Sequence, residues 1–241
     1  MKIAEYITNS IDRLPKGYVF TYEDFMGEVK KKEAVIKALN RMVASGKISK
    51  LSKGKYYKPE KTNFGELTPP QYQIVKDLLE NDGKIIGYLT GFSIYNQLGL
   101  TTQVSNLIQI GRNEVRPAVK RERYTISFIR QRNTITKENI PLLQLLDAIR
   151  YIKKIPDSTL STVCNRLLIL VDKLSESEEK TIVRLSQKYP PATRALLGAI
   201  LDQLDRSSNL NTLQNMLNPI TQYKLKGVTK VLKTAENWNI I

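Results

Sequence analysis

The first 57 residues predict three helices followed by a basic β-hairpin, and this order is the feature that most constrains the fold. Apolar residues at spacings of three and four predict helices over residues 1–14 and 31–45. A shorter helix is expected over residues 22–27, with Thr21 at its N-cap. Residues 47–57 alternate lysines with apolar side chains around a Lys-Gly-Lys turn, which predicts a hairpin.

Three helices and a basic hairpin are the element order of a winged helix-turn-helix, which we expect over residues 1–60. In that fold the third helix enters the major groove of DNA and the hairpin, or wing, lies on the backbone or in the minor groove. Lysine neutralises phosphates, while arginine and asparagine can pair with base edges. The alternative is that these polar residues form a solvated face. The predicted DNA-contacting residues are Lys31, Lys32, Lys37, Asn40, Arg41, Lys50, Lys53 and Lys55.

The formal net charge of +15 favours a polyanionic partner, with nucleic acid ahead of an anionic membrane. Ten basic residues and one acidic residue, Glu33, lie between Lys30 and Lys58. No apolar run approaches the roughly 20 residues that span a bilayer, so we expect no membrane association. The one cysteine, Cys164, is expected to be buried in a helix, and its isolation fits a cytoplasmic protein.

The absence of histidine argues against an enzyme. It removes the commonest general base and the commonest metal ligand, so we expect no catalytic residues, no metal and no cofactor. A restriction-type nuclease needs an acid-x-Lys strand, and Glu114-Val115-Arg116 has arginine instead of lysine. A phosphate-cradling loop needs a spacing that Gly46 and Gly54-Lys55 do not have.

The remaining sequence predicts an α+β protein that is mostly helical, with a small mixed α/β middle segment and a helical C-terminal region. The expected domains are residues 1–60, 61–135 and 136–241. Within the middle segment we expect a linker, two helices, four strands and two turns. These elements are the linker 60–67, helices 68–81 and 90–98, strands 84–87, 104–110, 115–120 and 124–130, and turns 111–113 and 121–123. The C-terminal helices are expected near 142–152, 160–174, 178–188, 192–204, 210–217 and 223–233.

A second group of arginines lies on the middle β segments. These side chains either form solvated turns or make a second nucleic-acid surface, for DNA flanking an operator or for an RNA. The candidates are Arg112, Arg116, Arg121 and Arg123, followed along the chain by Arg130 and Arg132.

Two stretches together resemble the AbiEi family of antitoxins from type IV toxin–antitoxin systems. The first includes Gly17-Tyr-Val-Phe-Thr21, Ala38-Leu39-Asn-Arg-Met42 and Gly54-Lys-Tyr56, a pattern that many winged-helix regulators share. The second, more distinctive stretch is Tyr88-Leu-Thr-Gly-Phe-Ser-Ile-Tyr-Asn-Gln-Leu-Gly-Leu-Thr-Thr-Gln-Val104. Its polar and glycine residues have either a structural role or a functional surface role. They are Gly91, Asn96, Gly99, Thr101, Thr102 and Gln103.

The resemblance implies an antitoxin of an abortive-infection system that represses its own operon by binding inverted repeats. It also implies that the chain opposes a nucleotidyltransferase-like toxin without forming a stable complex with it. The family supplies no catalytic residues to carry over. Two other functions stay open: a winged-helix transcription regulator with a ligand-sensing or oligomerising C-terminal region, and a non-catalytic partner subunit of a nuclease or other defence enzyme.

Overall fold

The computed structural model describes residues 3–63, 65–206 and 210–241 and has the expected α+β class. Met1 and Lys2 of the first predicted helix, and Phe64 of the predicted linker, lie outside this range. The chain divides into two compact units. The first unit comprises Met1–Asp77 and Val119–Tyr124, and the second comprises Leu78–Ala118 and Thr125–Ile241.

The first unit begins with two helices that bury one face each. In order, its described elements are α1 Ile3–Arg13, β1 Val19–Thr21, α2 Lys32–Ala44, β2 Ser49–Ser52, β3 Lys55–Tyr57, β4 Glu60–Thr62, β5 Gly65–Leu67 and α3 Gln71–Leu79, whose last two residues are counted in the second unit. Ile11 on α1 and Leu39 on α2 are completely buried. They belong to one apolar core with Phe20, Phe25 and Tyr56, in which the two phenylalanine rings meet edge to face at 5.7 Å.

The first three strands form an antiparallel sheet in the order β1-β3-β2. Val19 pairs with Tyr57 and Phe20 with Tyr56. Strand β3 is therefore the central strand, with β1 at one edge and β2 at the other. Gly54 lies in that turn at φ 76°, a backbone conformation that glycine adopts without the strain of a Cβ atom. Helix, strand, turn, helix and hairpin follow one another in this segment, and this is also the element order of a winged helix-turn-helix.

The predicted helix 22–27 is wrong in extent and type, because only Glu23–Phe25 forms a single 3-10 turn. The N-cap is Tyr22 rather than Thr21. Thr21 instead accepts a hydrogen bond from the Glu23 N–H at 3.1 Å and donates its own N–H to Asp24 at 2.7 Å. These local bonds offer the backbone an alternative to a longer helix.

The predicted linker 60–67 is also wrong, because β4 and β5 pair as an antiparallel hairpin. The Tyr57 hydroxyl donates to Glu66 at 2.5 Å, which ties this hairpin to the wing strand β3. Burial, followed by the hydrogen bond and charge of Glu66, raises the pKa of Tyr57 to about 12. The polar composition of the segment reflects a solvated hairpin rather than an unstructured connection.

The second unit packs a small sheet against helices. Its described elements are β6 Glu80–Asn81, β7 Lys84–Ile85, β8 Gly87–Thr90, α4 Phe92–Tyr95, β9 Leu107–Arg112, β11 Tyr124–Arg130, α5 Ile140–Arg150, α6 Leu160–Asp172, α7 Glu176–Ser186, α8 Pro191–Gln203 and α9 Leu210–Gln214, while β10 Val119–Arg121 and Tyr124 are counted in the first unit. Strand β9 pairs antiparallel with β8 and parallel with residues 125–130 of β11. Helix α8 is buried along most of its length and contacts α5, α6 and α9. Cys164 is fully buried on α6, as predicted, and burial raises its pKa to about 12.

Four predicted elements are wrong in extent or type. The strand expected at 115–120 is confined to Val119–Arg121, and the helix expected at 90–98 to Phe92–Tyr95. The turn expected at 111–113 begins later, because β9 continues through Gly111 and Arg112. The helix expected at 223–233 is replaced by an extended Tyr223 that bridges Ile240, and by a 3-10 turn at Val228–Lys230. Gly227 lies between these two pieces at φ 97°, a left-handed conformation that a continuous α-helix does not contain.

The compact units divide the chain at other points than the three predicted domains. Residues 78–118 share a continuous apolar core with the C-terminal helices, from Tyr88 to Ile240. Compactness does not decide which segments fold independently, so the division at residues 60 and 135 stays a prediction. Within the described residues, no helix is both long enough and apolar enough to cross a bilayer.

Candidate nucleic-acid interface

Five of the six exposed residues of α2 are polar, and the sixth is Ala44. The inward face of α2 contributes Val35, Leu39 and Met42 to the core of the first unit, and the helical period then directs the intervening side chains outward. All five residues that sequence analysis selected at this helix are exposed. They are Lys31, Lys32, Lys37, Asn40 and Arg41.

Two cations stand at the N-terminal end of α2, where the helix dipole favours anions. Lys31 is the N-cap residue, and its side chain makes no capping hydrogen bond. The Lys32 ammonium lies 4.5 Å from the centre of the Tyr22 ring, and a hydrogen bond with the Tyr22 side chain is the main cause of a raised pKa for Lys32. Lysines here do not stabilise the helix, but together with the helix dipole they suit a bound phosphate.

Asn40 connects the outward face of α2 to the wing. The Tyr56 hydroxyl donates to Asn40 Oδ1 at 3.2 Å, and Tyr56 is a buried residue of β3. This bond fixes the orientation of the amide group. Among the described residues no acceptor takes the protons of Asn40 Nδ2, so they stay available to a ligand.

The three wing lysines have different surroundings. Lys50 on β2 and Lys53 in the turn are exposed. Lys55 on β3 is half-buried, and its ammonium lies 2.5 Å from Asp77 on α3. Burial lowers the pKa of Lys55, and the hydrogen bond and charge of Asp77 oppose that effect.

Asp77 also receives Arg121 of β10 in a bidentate pair, with N–O distances of 2.6 and 2.8 Å. The same guanidinium donates to the Ile74 carbonyl at 2.6 Å. Burial raises the pKa of Asp77, but Arg121 and Lys55 together outweigh burial and lower it. The cluster of Lys55, Asp77 and Arg121 therefore anchors the wing within the first unit. Sequence reasoning missed it, since its members are far apart along the chain.

The four arginines of the predicted second surface are divided between the two units. Arg112 and Arg116 belong to the second unit, whereas Arg121 and Arg123 belong to the first. Arg112 is only 6% exposed, and Arg121 is committed to Asp77. Arg116 and Arg123 are exposed, although Arg123 also bonds Thr68 and stacks on Tyr124.

The distinctive stretch 88–104 lies largely inside the second unit. Several of its apolar members are buried, including Tyr88, Tyr95 and Leu100, whereas Val104 is 82% exposed. Thr101 is 8% exposed and donates to the Pro156 carbonyl at 2.9 Å. A Cβ atom on Gly91, at φ 58°, would come within 2.0 Å of the Gln109 side chain. Thr102 and Gln103 are exposed. Gly91 and Thr101 thus suit a structural role, whereas Thr102 and Gln103 suit a functional surface.

Comparison with known proteins gives a family and a related fold. A family model described as "Family of unknown function (DUF6088)" matches residues 6–180. The crystal structure of the RV2827C protein from Mycobacterium tuberculosis is similar, with a TM-score of 0.62 and 14% sequence identity, covering 93% of this chain and 85% of that one. At this identity the likeness concerns the fold alone. No curated protein matches the chain significantly.

Proposed function

The chain belongs to the DUF6088 family, and we propose that it is a sequence-specific DNA-binding protein that represses its own operon as the antitoxin of a type IV toxin–antitoxin system. The observation that carries the DNA-binding part is the set of unneutralised cations on α2 and the wing. Among the described residues, none of these six forms an ion pair. They are Lys31, Lys32, Lys37, Arg41, Lys50 and Lys53.

Two neighbouring lysines outside this set are neutralised by a nearby carboxylate. Lys47 lies 3.0 Å from Asp12, and Lys55 lies 2.5 Å from Asp77. Six cations without ion pairs in the described structure, on one helix and the wing, give this surface positive potential where a duplex would dock. In this arrangement α2 enters the major groove, and Lys50 and Lys53 bind the phosphate backbone.

The exposed side chains of α2 would recognise the DNA base sequence. Asn40 can donate its Nδ2 protons to adenine N7, while its Oδ1, already held by Tyr56, can also accept from adenine N6. Arg41, on the same face, is long enough to reach either a guanine edge or a phosphate. The lysines position the helix and carry no sequence information themselves.

The antitoxin part of the proposal is supported by the resemblance of residues 17–57 and 88–104 to AbiEi antitoxins. The winged helix would limit expression of the operon, and the chain would counteract a nucleotidyltransferase-like toxin encoded beside it, with direct contact to that toxin left open. Co-expression with the neighbouring gene tests this part. Growth should stop with the neighbour alone and resume with both proteins, whereas a harmless neighbour or a failed rescue would overturn the antitoxin role.

Truncation separates the two activities. A chain ending at residue 62 tests whether the winged helix suffices for repression, and one ending at residue 136 tests whether the C-terminal helices are needed for rescue. We expect rescue to require residues beyond 62, since the more distinctive part of the resemblance lies at 88–104. Rescue by residues 1–62 alone would assign the antitoxin role to the winged helix instead.

A further inference from the structure

A cavity of about 410 Å³ in the second unit is lined by cations and by no carboxylate. It lies where the end of β11, the last turn of α5 and the connection from α7 to α8 meet. The lining also includes Gln131, Gln187 and Tyr189. Its cationic residues are Arg130, Arg132, Arg150, Lys188 and Arg194.

A buried hydrogen-bond network holds the walls of this cavity. Gln131 is 4% exposed and lies between Arg130 and Arg132. Its Nε2 donates to the hydroxyls of Tyr88 and Tyr189, at 2.8 Å each. Those hydroxyls in turn donate to Asp147, at 2.7 and 2.9 Å. The hydrogen bonds of Gln131 therefore fix the backbone segment from which Arg130 and Arg132 extend.

The charges around the cavity are not neutralised by the protein. Within the described part of the chain, none of the five cations forms a salt bridge. Arg194 is 9% exposed, and its buried Nε has no hydrogen-bond partner. Its other two nitrogens donate to the carbonyls of Tyr189, at 2.6 Å, and Met216, at 3.1 Å. A buried donor without a partner is costly, and an anion in the cavity would remove that cost.

A second cavity of about 570 Å³ adjoins the first, sharing Arg150 and Pro190 with it. Its lining is more apolar and includes Leu196, Leu225 and the rings of Tyr151 and Tyr223. Tyr223 is 8% exposed, and its hydroxyl also lacks a partner in the described structure. Each cavity thus has one nearly buried side chain with an orphaned polar atom.

We propose that the two cavities together bind a nucleotide, with its phosphates among the arginines and its nucleoside in the apolar cavity beside Tyr151 and Tyr223. Both volumes fall within the range of roughly 300–1,000 Å³ typical of small-ligand sites. Several cations around one half-open cavity match a di- or triphosphate, which carries several negative charges. The aromatic rings and the free Tyr223 hydroxyl match a base and its polar edge. This site does not depend on the proposed DNA-binding function.

Calorimetric titration of the full chain with ATP and with GTP tests the proposal. At least one should bind, and tripolyphosphate should bind more weakly because it leaves the apolar cavity empty. The double variant Arg132→Gln/Lys188→Gln should weaken nucleotide binding roughly ten- to a hundredfold. The control Lys173→Gln/Arg184→Gln removes the same charges from exposed positions outside both cavities and should leave the affinity unchanged.

The variant Tyr223→Phe tests the nucleoside part separately. It removes one buried hydroxyl without a partner, so the protein should unfold at the same or a higher temperature. Affinity for the nucleoside triphosphate should fall about two- to tenfold, and affinity for tripolyphosphate should not change. Failure of both nucleotides to bind would overturn the proposal, as would equal weakening in the control. Binding of 5′-phosphorylated single-stranded RNA, but of neither nucleotide, would overturn it in favour of a nucleic-acid surface.

Discussion

The ammonium nitrogen of Lys55 lies 2.5 Å from a carboxylate oxygen of Asp77, so one of the three predicted wing cations is already paired within the first unit. Arg121 binds the same carboxylate through two hydrogen bonds. Lys55 therefore stabilises the position of the wing, whereas Lys50 and Lys53 have no such partner among the described residues. Substitution of Lys55 should therefore act mainly on stability, and substitution of Lys53 mainly on DNA binding.

Replacement of Asp77 by Asn should destabilise the protein by about 1 kcal/mol, a modest value because the carboxylate is partly exposed to solvent. The change leaves two partly buried cations, Lys55 and Arg121, without their shared anion. Urea denaturation at pH 7 measures the free energy of unfolding. The control Asp12→Asn breaks the more exposed pair with Lys47 and should cost less, and an equal cost would contradict the anchoring role of Asp77.

The stability difference between the wild type and Asp77→Asn should depend on pH. Arg121 and Lys55 lower the pKa of Asp77 in the folded state despite its burial, so ionisation of Asp77 favours folding. That contribution is complete above the unfolded-state pKa of about 3.9 and is lost as the pH falls through the lower folded-state value. The difference should therefore be constant between about pH 6 and 8 and shrink below about pH 4. A difference that grows in acid would contradict the direction of the shift.

The variant Lys53→Ala should weaken DNA binding at every sequence and reduce the slope of log affinity against log salt by about one. Lys55→Ala should change that slope less, because Lys55 is neutralised by Asp77, and should instead lower the free energy of unfolding. Fluorescence anisotropy over a range of salt concentrations measures the slope. Equal slope changes in the two variants would show that Lys55 also contacts phosphate.

The variant Asn40→Ala should relax sequence preference rather than weaken all binding. Loss of a bidentate base contact costs about 1–3 kcal/mol at the preferred site and nothing at unrelated sequences. Tyr56→Phe removes only the hydroxyl that orients Asn40, and it should lower the same preference by a smaller factor. Competition between operator and scrambled duplexes measures the ratio. An unchanged ratio in Asn40→Ala would remove this residue from sequence reading.

Local sequence patterns were sufficient for α1, α2 and the wing, but not for the short segment between the two helices or for the contacts that surround the wing. The apolar positions of α1 and α2 follow the helical period, and Gly54 marks the wing turn, so each element is encoded in a short window. The pairing of Lys55 with Asp77 joins residues 22 positions apart, and local periodicity carries no information about it. Gly227 is a local signal that was available in the sequence but was not used. The apolar spacing of residues 223–233 predicted a helix, although a glycine within it favours an interruption.

The cationic cavity was only partly accessible to sequence reasoning. Arg130 and Arg132 stood out as charges at the end of a β segment, and Gln131 between them follows the strand alternation that directs it inward. Arg150 and Arg194 lie on separate helices, and only the packing of α5 against α8 brings them to the same cavity. Asp147 gave a usable signal, since a carboxylate in an otherwise apolar helix needs buried partners.

The salt dependence of binding to the DNA upstream of the gene tests the central claim most directly. Six unpaired cations on α2 and the wing predict that affinity for an upstream duplex with inverted repeats falls about a thousandfold between 50 and 200 mM salt. They also predict tighter binding to that duplex than to a scrambled one of equal length. Affinity that is insensitive to salt, or equal for the two duplexes, would contradict the account.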